Sequence, residues 1–300
     1  MPLDPQFTDL IAMFKSMPGV SEMPLEAIRS APIPVNPSPT FVDEVEERTI
    51  KGPASDLKVR IYRSGPRGNL PLLFFMHGGG FVVGNLDTHD EMARVLTAET
   101  GCVTVSLDYR LAPENPYPAA PDDCFAGLKW AAANARALGA DPVRIAVIGD
   151  SAGGNLAAVM AHKARDERGP ALKAQVLIYP VVDMTAPFPP PLGGEYFILN
   201  PRDREFFDRS YLADRARAKD AYASPALGKL NGLPPALVIT AEYDPLCGQG
   251  EDYATKLKEA GVDTTLHHYA GAVHGFASFP VPMGKLGLKR AAEWLKTQFA

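Results

Sequence analysis

Residues 145–155 read IAVIGDSAGGN: a short β-branched apolar run breaks at Gly149-Asp150-Ser151-Ala152-Gly153 and continues as the alanine-rich stretch 155–164. A strand therefore passes into a helix through a G-x-S-x-G turn. Such a turn holds its serine in a costly backbone conformation, and the glycines two residues to either side let neighbouring segments approach where a Cβ would clash. The strain lifts the hydroxyl into the open. The helix that starts there points its N-terminal N–H groups and positive dipole end at any negative charge developing beside the serine. Ser151 is the candidate nucleophile, with Gly153 as spacer and Asp150 and Asn155 as turn and packing supports.

A second glycine cluster, His77-Gly78-Gly79-Gly80, follows the apolar run 72–76 and precedes Phe81-Val82-Val83-Gly84. Three glycines after a strand expose bare backbone. Acyl transfer builds a negative oxygen, which preorganised N–H donors hold well in a dry pocket. The N–H groups of Gly78, Gly79 and Ala152 are the expected donors, with His77 and Gly80 completing the motif. A phosphate cradle needs G-x-x-x-x-G-K-[ST], and a dinucleotide turn needs G-x-G-x-x-G ahead of a helix; neither frame fits.

A serine hydroxyl is a weak nucleophile without a base, and six histidines are available. His77 belongs to the glycine motif and His89 to the polar stretch Asp87-Thr88-His89-Asp90. His162 sits among charges on the helix after the turn and reads as a solvated face, while His267 and His268 alternate along a strand. His274, in the loop 271–276 beyond the last expected strand, is the expected base, because catalytic side chains concentrate on loops carried by a rigid scaffold. Asp183 and Asp244 both follow strands. A chain order of nucleophile, acid, base selects Asp244 and leaves Asp183 as the reserve. The acid fixes the imidazole tautomer and stabilises the imidazolium. This chemistry needs no metal or cofactor. Asp108 and Arg110 are expected to form a structural ion pair, and Asp122 and Asp123 to start a helix.

Apolar runs near 41–50, 57–62, 70–76, 102–107, 145–148, 176–179, 236–240 and 265–269 predict eight strands. Helical stretches at 91–99, 120–137, 156–167, 250–260 and 285–299 alternate with the later ones, which predicts an α/β fold with a mostly parallel sheet covered on both faces. Two regions stand apart. Leu10, Ile11, Phe14 and Met17 recur at helical spacing ahead of a proline-rich connector at 32–39, and 187–218 carries three consecutive prolines followed by Phe197, Phe206, Phe207 and Tyr211. These pieces are expected to form a helical cap over Ser151, so that 1–40 and 187–218 are cap and 41–186 and 219–300 are catalytic core.

At 300 residues, 46% hydrophobic and 22% charged, the chain can bury a full core as one main domain. Its net charge of −5 and scattered Lys and Arg argue against nucleic acid. No window of some 18 apolar residues exists to cross a bilayer, and residues 1–20 lack the charged-then-apolar order of a secretion signal, so a cytoplasmic location is expected. Cys102, Cys124 and Cys247 lack metal spacing; two read as buried thiols, and Cys247 is the one to test for reactivity.

The chain resembles the hormone-sensitive-lipase-like group, bacterial family IV, of α/β-hydrolase carboxylesterases. The resemblance rests on His77-Gly78-Gly79-Gly80-Phe81, the run 108–114 (DYRLAPE), the run 149–155 (GDSAGGN), Asp244-Pro245-Leu246 and His274-Gly275-Phe276, in order from about residue 40 to the C-terminus. It implies hydrolysis of short- to medium-chain acyl esters by Ser151, Asp244 and His274, with Gly78, Gly79 and Ala152 as oxyanion donors. It also implies a homodimer through the edge strand 264–269. The family often carries Arg-Asp-Glu-Gly where this chain has Cys247-Gly248-Gln249-Gly250, a departure that bears on the acyl or alcohol pocket and hence on substrate preference. Some proteins of this fold are non-catalytic receptors for a small carboxylic acid; those lack the nucleophile or base, and here all three side chains are present. Amidase, aryl-acylamide deacetylase and lactonase reactions use the same machinery with another leaving group.

Overall fold

Where the apolar pattern is continuous the strands lie at the centre of a sheet, and where it alternates they lie at its margin. The computed structural model describes residues 2–30, 39–66 and 68–300, so the proline-rich connector, Pro39 apart, lies outside the described residues. The strands are β1 (Glu44–Lys51), β2 (Asp56–Arg63), β3 (Leu70–Met76), β4 (Val103–Asp108), β5 (Ala140–Asp150), β6 (Ala174–Ile178), β7 (Ala236–Tyr243) and β8 (Thr264–Val273). They form one eight-stranded sheet in the order β1-β2-β4-β3-β5-β6-β7-β8. Only β1–β2 and β2–β4 pair antiparallel. The margin strand β1 begins at Glu44 rather than at Phe41, which is exposed, and its residues alternate in burial.

The helices are α1 (Thr8–Ser16), α2 (Leu25–Ser30), α3 (Asp90–Thr100), α4 (Ala119–Asn134), α5 (Ala152–Asp166), α6 (Pro201–Leu212), α7 (Cys247–Glu259) and α8 (Pro282–Phe299). Strand β3 explains how they are layered. Leu73 and Phe75 point to one face, where Met92 and Leu96 of α3 and Leu288 and Leu295 of α8 cover them. Leu72, Phe74 and Met76 point to the other, beneath Leu128 of α4, Leu156 of α5 and Tyr253 of α7. Period-two alternation thus feeds two cores from one strand. Burying each such large side chain contributes about 2 kcal/mol.

Strand β3 has β4 on one side and β5 on the other, so the connections leaving β3 and β5 diverge across opposite faces. A crevice opens at the carboxyl ends of two such strands. His77–Gly80 and Ser151 both emerge there. Among the described residues, no helix is long and apolar enough to cross a membrane.

Candidate active site

Strand β5 ends at Asp150 and α5 starts at Ala152, four residues before the expected helix start, so Ser151 alone makes the turn, at φ 53° and ψ −114°. A non-glycine residue held there costs on the order of 1–3 kcal/mol. Packing supplies the restraint. A Cβ on Gly149 would lie 2.2 Å from the Gly153 carbonyl oxygen, and one on Gly153 would lie 2.0 Å from that of Met76. Both obstacles are backbone and cannot swing aside, so the G-x-S-x-G spacing is a steric requirement.

The turn presents Ser151 Oγ 2.9 Å from His274 Nε2, and His274 Nδ1 lies 2.7 Å from Asp244 Oδ2. With Nδ1–H donating to the carboxylate, Nε2 is left as acceptor for the serine hydroxyl. Asp244 follows β7, and its other oxygen accepts the Leu246 N–H at 2.8 Å, so both carboxylate oxygens are held. Tyr179 packs its ring edge-on against the imidazole, with centroids 5.1 Å apart. Asp183 is elsewhere: its Oδ1 accepts the N–H and hydroxyl of Thr185 within its own loop.

The glycine loop answers the expectation in part. Gly78 donates its N–H to Asp150 Oδ1 at 2.9 Å, with His89 Nε2 3.3 Å away, so this donor is spent inside the protein. Gly79 (φ 114°), Gly80 (φ 61°) and Ala152 border the cavity that holds Ser151 and His274. The Gly78 N–H thus points into the protein, and of the three glycines it is Gly79 and Gly80 that face the cavity. The cause is Asp150, which is buried beneath the loop; burial alone would raise its carboxyl, but His89 and the Gly78 N–H outweigh that and hold it below the usual range. Burial, with His89 alongside, pushes His77 down to about 3, so it is a neutral ring that donates from Nδ1 to the Gly78 carbonyl at 2.8 Å and stacks on Tyr109. Asn155 donates to the carbonyls of Val181 and Ala223, each at 2.8 Å, pinning the loop after β6 to the start of α5.

The cavity measures about 490 Å³. Its walls come from the N-terminal segment (Met13, Phe14, Met17, Val20), from the region around α6 (Phe197, Phe207) and from Leu246. Phe207 lies directly on Gly80, where a Cβ would meet its ring at 2.3 Å.

Other expectations change. Arg110 pairs with Asp123, at 2.7 Å and through two side-chain hydrogen bonds, rather than with Asp108; Asp123 lies wholly buried in the first turns of α4 and accepts the Arg110 backbone N–H as well. His162 is buried, not solvated: α5 is covered along its length, the ring faces Tyr253, and burial pushes it down to about 4. The Cys247-Gly248-Gln249-Gly250 segment does not reach the cavity. Gln249 Oε1 instead accepts the N–H groups of Val182 and Asp183, at 2.7 and 3.0 Å, and so ties α7 to the loop after β6. Sequence reading missed His89, whose polar neighbours disguise a buried ring, and Arg29, which grips the carbonyls of Val82 and Ala112 and the carboxylate of Glu114.

A family model described as the alpha/beta hydrolase fold matches residues 73–278. Among curated proteins, the carboxylic ester hydrolase LipN of Mycobacterium tuberculosis is 43% identical over 80% of this chain, which spans 66% of LipN's own length. The carboxylesterase NlhH of the same organism is 44% identical over 78% of this chain and 76% of NlhH. Among solved structures, a hyperthermophilic esterase from the archaeon Pyrobaculum calidifontis superposes with a TM-score of 0.91 at 39% identity, covering 99% of both chains. With these likenesses added to a hydroxyl, imidazole and carboxylate gathered at the switch point of the sheet, the chain belongs to the hormone-sensitive-lipase-like family IV esterases of the α/β-hydrolase superfamily.

Proposed function

We propose that this chain is a serine carboxylesterase acting on esters of short- to medium-chain acids through an acyl-enzyme on Ser151. The observation that carries the reading is the unbroken relay from Ser151 Oγ through His274 to Asp244, at 2.9 and 2.7 Å, on the floor of a cavity with apolar walls. His274 Nε2 takes the hydroxyl proton as Oγ attacks the ester carbonyl, and Asp244 stabilises the imidazolium. The N–H groups of Gly79, Gly80 and Ala152 receive the developing oxyanion. The imidazolium then protonates the leaving alcohol, and a water activated by the same ring releases the acid. The names of the relatives, carboxylesterase and esterase, support ester as the substrate class.

Residues 1–40 and 187–218 form the cap in this reading, since both regions contribute walls to the same cavity. Its volume of about 490 Å³ lies at the lower end of small-molecule pockets and suits short acyl groups. The partners are the ester and a second copy of the chain along the β8 edge, which sedimentation and β8 edge variants would test. Three unpaired cysteines suit the reducing cytosol as its location.

The decisive experiment is a panel of p-nitrophenyl esters of increasing acyl length, run beside a matched anilide and a fluorophosphonate probe. Labelling at Ser151 with fastest turnover of short to medium esters is expected. Labelling with no ester turnover favours the receptor or an amidase, and undiminished turnover by Ser151→Ala overturns the assignment.

A further inference from the structure

Outside the active site, a thiol, a carboxylate and an imidazole converge where α7 packs on β8. Cys247 and Glu251 stand one helical turn apart on α7 and so share a face, while His268 reaches them from β8. One ligand atom from each lies within 4.8 Å of the other two. The separations are 3.6 Å for Sγ to Glu251 Oε1, 3.8 Å for Sγ to His268 Nδ1, and 3.0 Å for Nδ1 to Oε1. A tetrahedral zinc ion, with its sulfur at about 2.3 Å and its nitrogen or oxygen at about 2.1 Å, sets neighbouring ligand atoms roughly 3.4–3.6 Å apart. The three atoms already outline one face of that tetrahedron to within about 0.4 Å.

We propose that Cys247, Glu251 and His268 form a binding site for a zinc-class divalent cation, with the fourth position left to water. The donor set makes the choice of metal. Magnesium and calcium take oxygen ligands, whereas thiolate with imidazole selects zinc and its soft or borderline neighbours. The charge fits as well, because one thiolate and one carboxylate balance a dication. The carboxylates of Glu251 and Asp244 place negative charge beside the thiol, which draws a cation. On binding, the Sγ–metal bond forms as the thiol proton leaves for solvent, and no electrons change hands. His268 is exposed, which leaves an approach from water. The ester chemistry does not use the ion. Its effect is to clamp the start of α7 to β8, and because the Cys247 N–H donates to the Asp244 carbonyl at 2.9 Å, the clamp sits on the turn that carries the acid.

The test is titration of the full chain with cadmium alone, read by sulfur-to-metal charge-transfer absorption in the ultraviolet. One equivalent is expected to saturate the band. Cys247→Ser should abolish it, and His268→Gln or Glu251→Gln should weaken binding by about tenfold or more, since even changes beyond the ligands themselves cost that much. Cys102 and Cys124 are buried and cannot supply the signal. Zinc should also raise the thermal midpoint of the parent chain and not that of His268→Gln, whose metal-free ester turnover should equal the parent's. Absence of the band overturns the proposal. So does a band indifferent to both His268→Gln and Glu251→Gln, which would mean capture by a thiol alone. Zinc stabilisation that survives Cys247→Ser but disappears in His274→Ala would place the ion at the active site and overturn it equally.

Discussion

The floor and the roof of the Ser151 cavity are built on different physics. The floor is held by backbone against backbone: Gly149 on Gly153, Gly153 on Met76, and the Gly78 N–H on a buried carboxylate. The roof is held by a few stacked rings and by polar contacts near water. Tyr211 of α6 stacks on Phe81 with centroids 3.7 Å apart. Beyond that, Lys15 meets Glu195 at 2.7 Å, the Ser21 N–H meets Asp203 at 3.1 Å, and Arg202 meets Glu22 at 3.5 Å. The two exposed ion pairs, Lys15–Glu195 and Arg202–Glu22, contribute about 0–1 kcal/mol each. The floor must hold reacting atoms to a fraction of an ångström, and the roof must only exclude water and fit a chain of variable length. A rigid floor and a loosely tied roof meet those two demands.

The largest effect expected from this contrast is on folding itself. Gly153→Ala places a methyl group 2.0 Å from the Met76 carbonyl, whereas Gly248→Ala on α7 meets nothing within 4 Å. The first should yield little folded protein; the second should unfold at the parent's temperature or slightly above, by up to about 1 kcal/mol of helix propensity. Circular dichroism melts of both decide the matter, and a native-like melt for Gly153→Ala would break the account of the floor.

Next in size is Asp244→Asn, which keeps the shape of the acid but favours the wrong imidazole tautomer. Turnover should fall by about 10⁴ with the melt little changed. Asp150→Ala should come after it, lowering kcat by about a hundredfold with KM little altered, because the oxyanion donors lose the anchor beneath Gly78. A folded Asp150→Ala with unchanged kcat would show that the loop holds its shape without the carboxylate.

These floor residues were legible in the sequence to different degrees, and the reason is distance along the chain. The turn at Ser151 imposes its steric demand within five residues, so its glycines can be read directly. Which glycine N–H faces the cavity depends on Asp150, on a neighbouring strand 72 residues away from Gly78, and the motif alone does not carry that information. His162 misled for a similar reason. Its neighbour Lys163 reaches Glu167 at 2.8 Å while lying over the Phe125 ring, so a charged sequence there is compatible with a buried helix face. The aromatic residues of the roof were visible as candidates, but no local pattern says that Ser21 will meet Asp203.

Acid should act on the buried histidine of α5. Burial holds His162 at about 4 in the folded chain against an ordinary 6.5, so the unfolded state binds the proton first as pH falls. The stability this neutral ring contributes is complete above pH 6.5 and is lost progressively toward pH 4, amounting to about 2 kcal/mol by pH 5. His162→Gln should flatten that part of the curve of denaturant midpoint against pH. An unchanged slope between pH 7 and 5 would place the acid sensitivity elsewhere.

The smallest effect should come from the roof, and it should appear in selectivity rather than in stability or turnover. Phe14 of α1 lines the cavity and packs edge-on against Phe279, with centroids 5.6 Å apart. A fully buried acyl methylene contributes about 0.8 kcal/mol, or about fourfold in kcat/KM, so removing a wall should reduce that increment for the longer esters alone. Phe14→Ala should therefore hydrolyse acetyl esters like the parent and lose its gain per methylene as the acyl chain lengthens, with kcat nearly constant. If instead acetyl and longer esters fell together, the residue would be steadying the floor, and the division between a rigid floor and an adaptable roof would fail at this position.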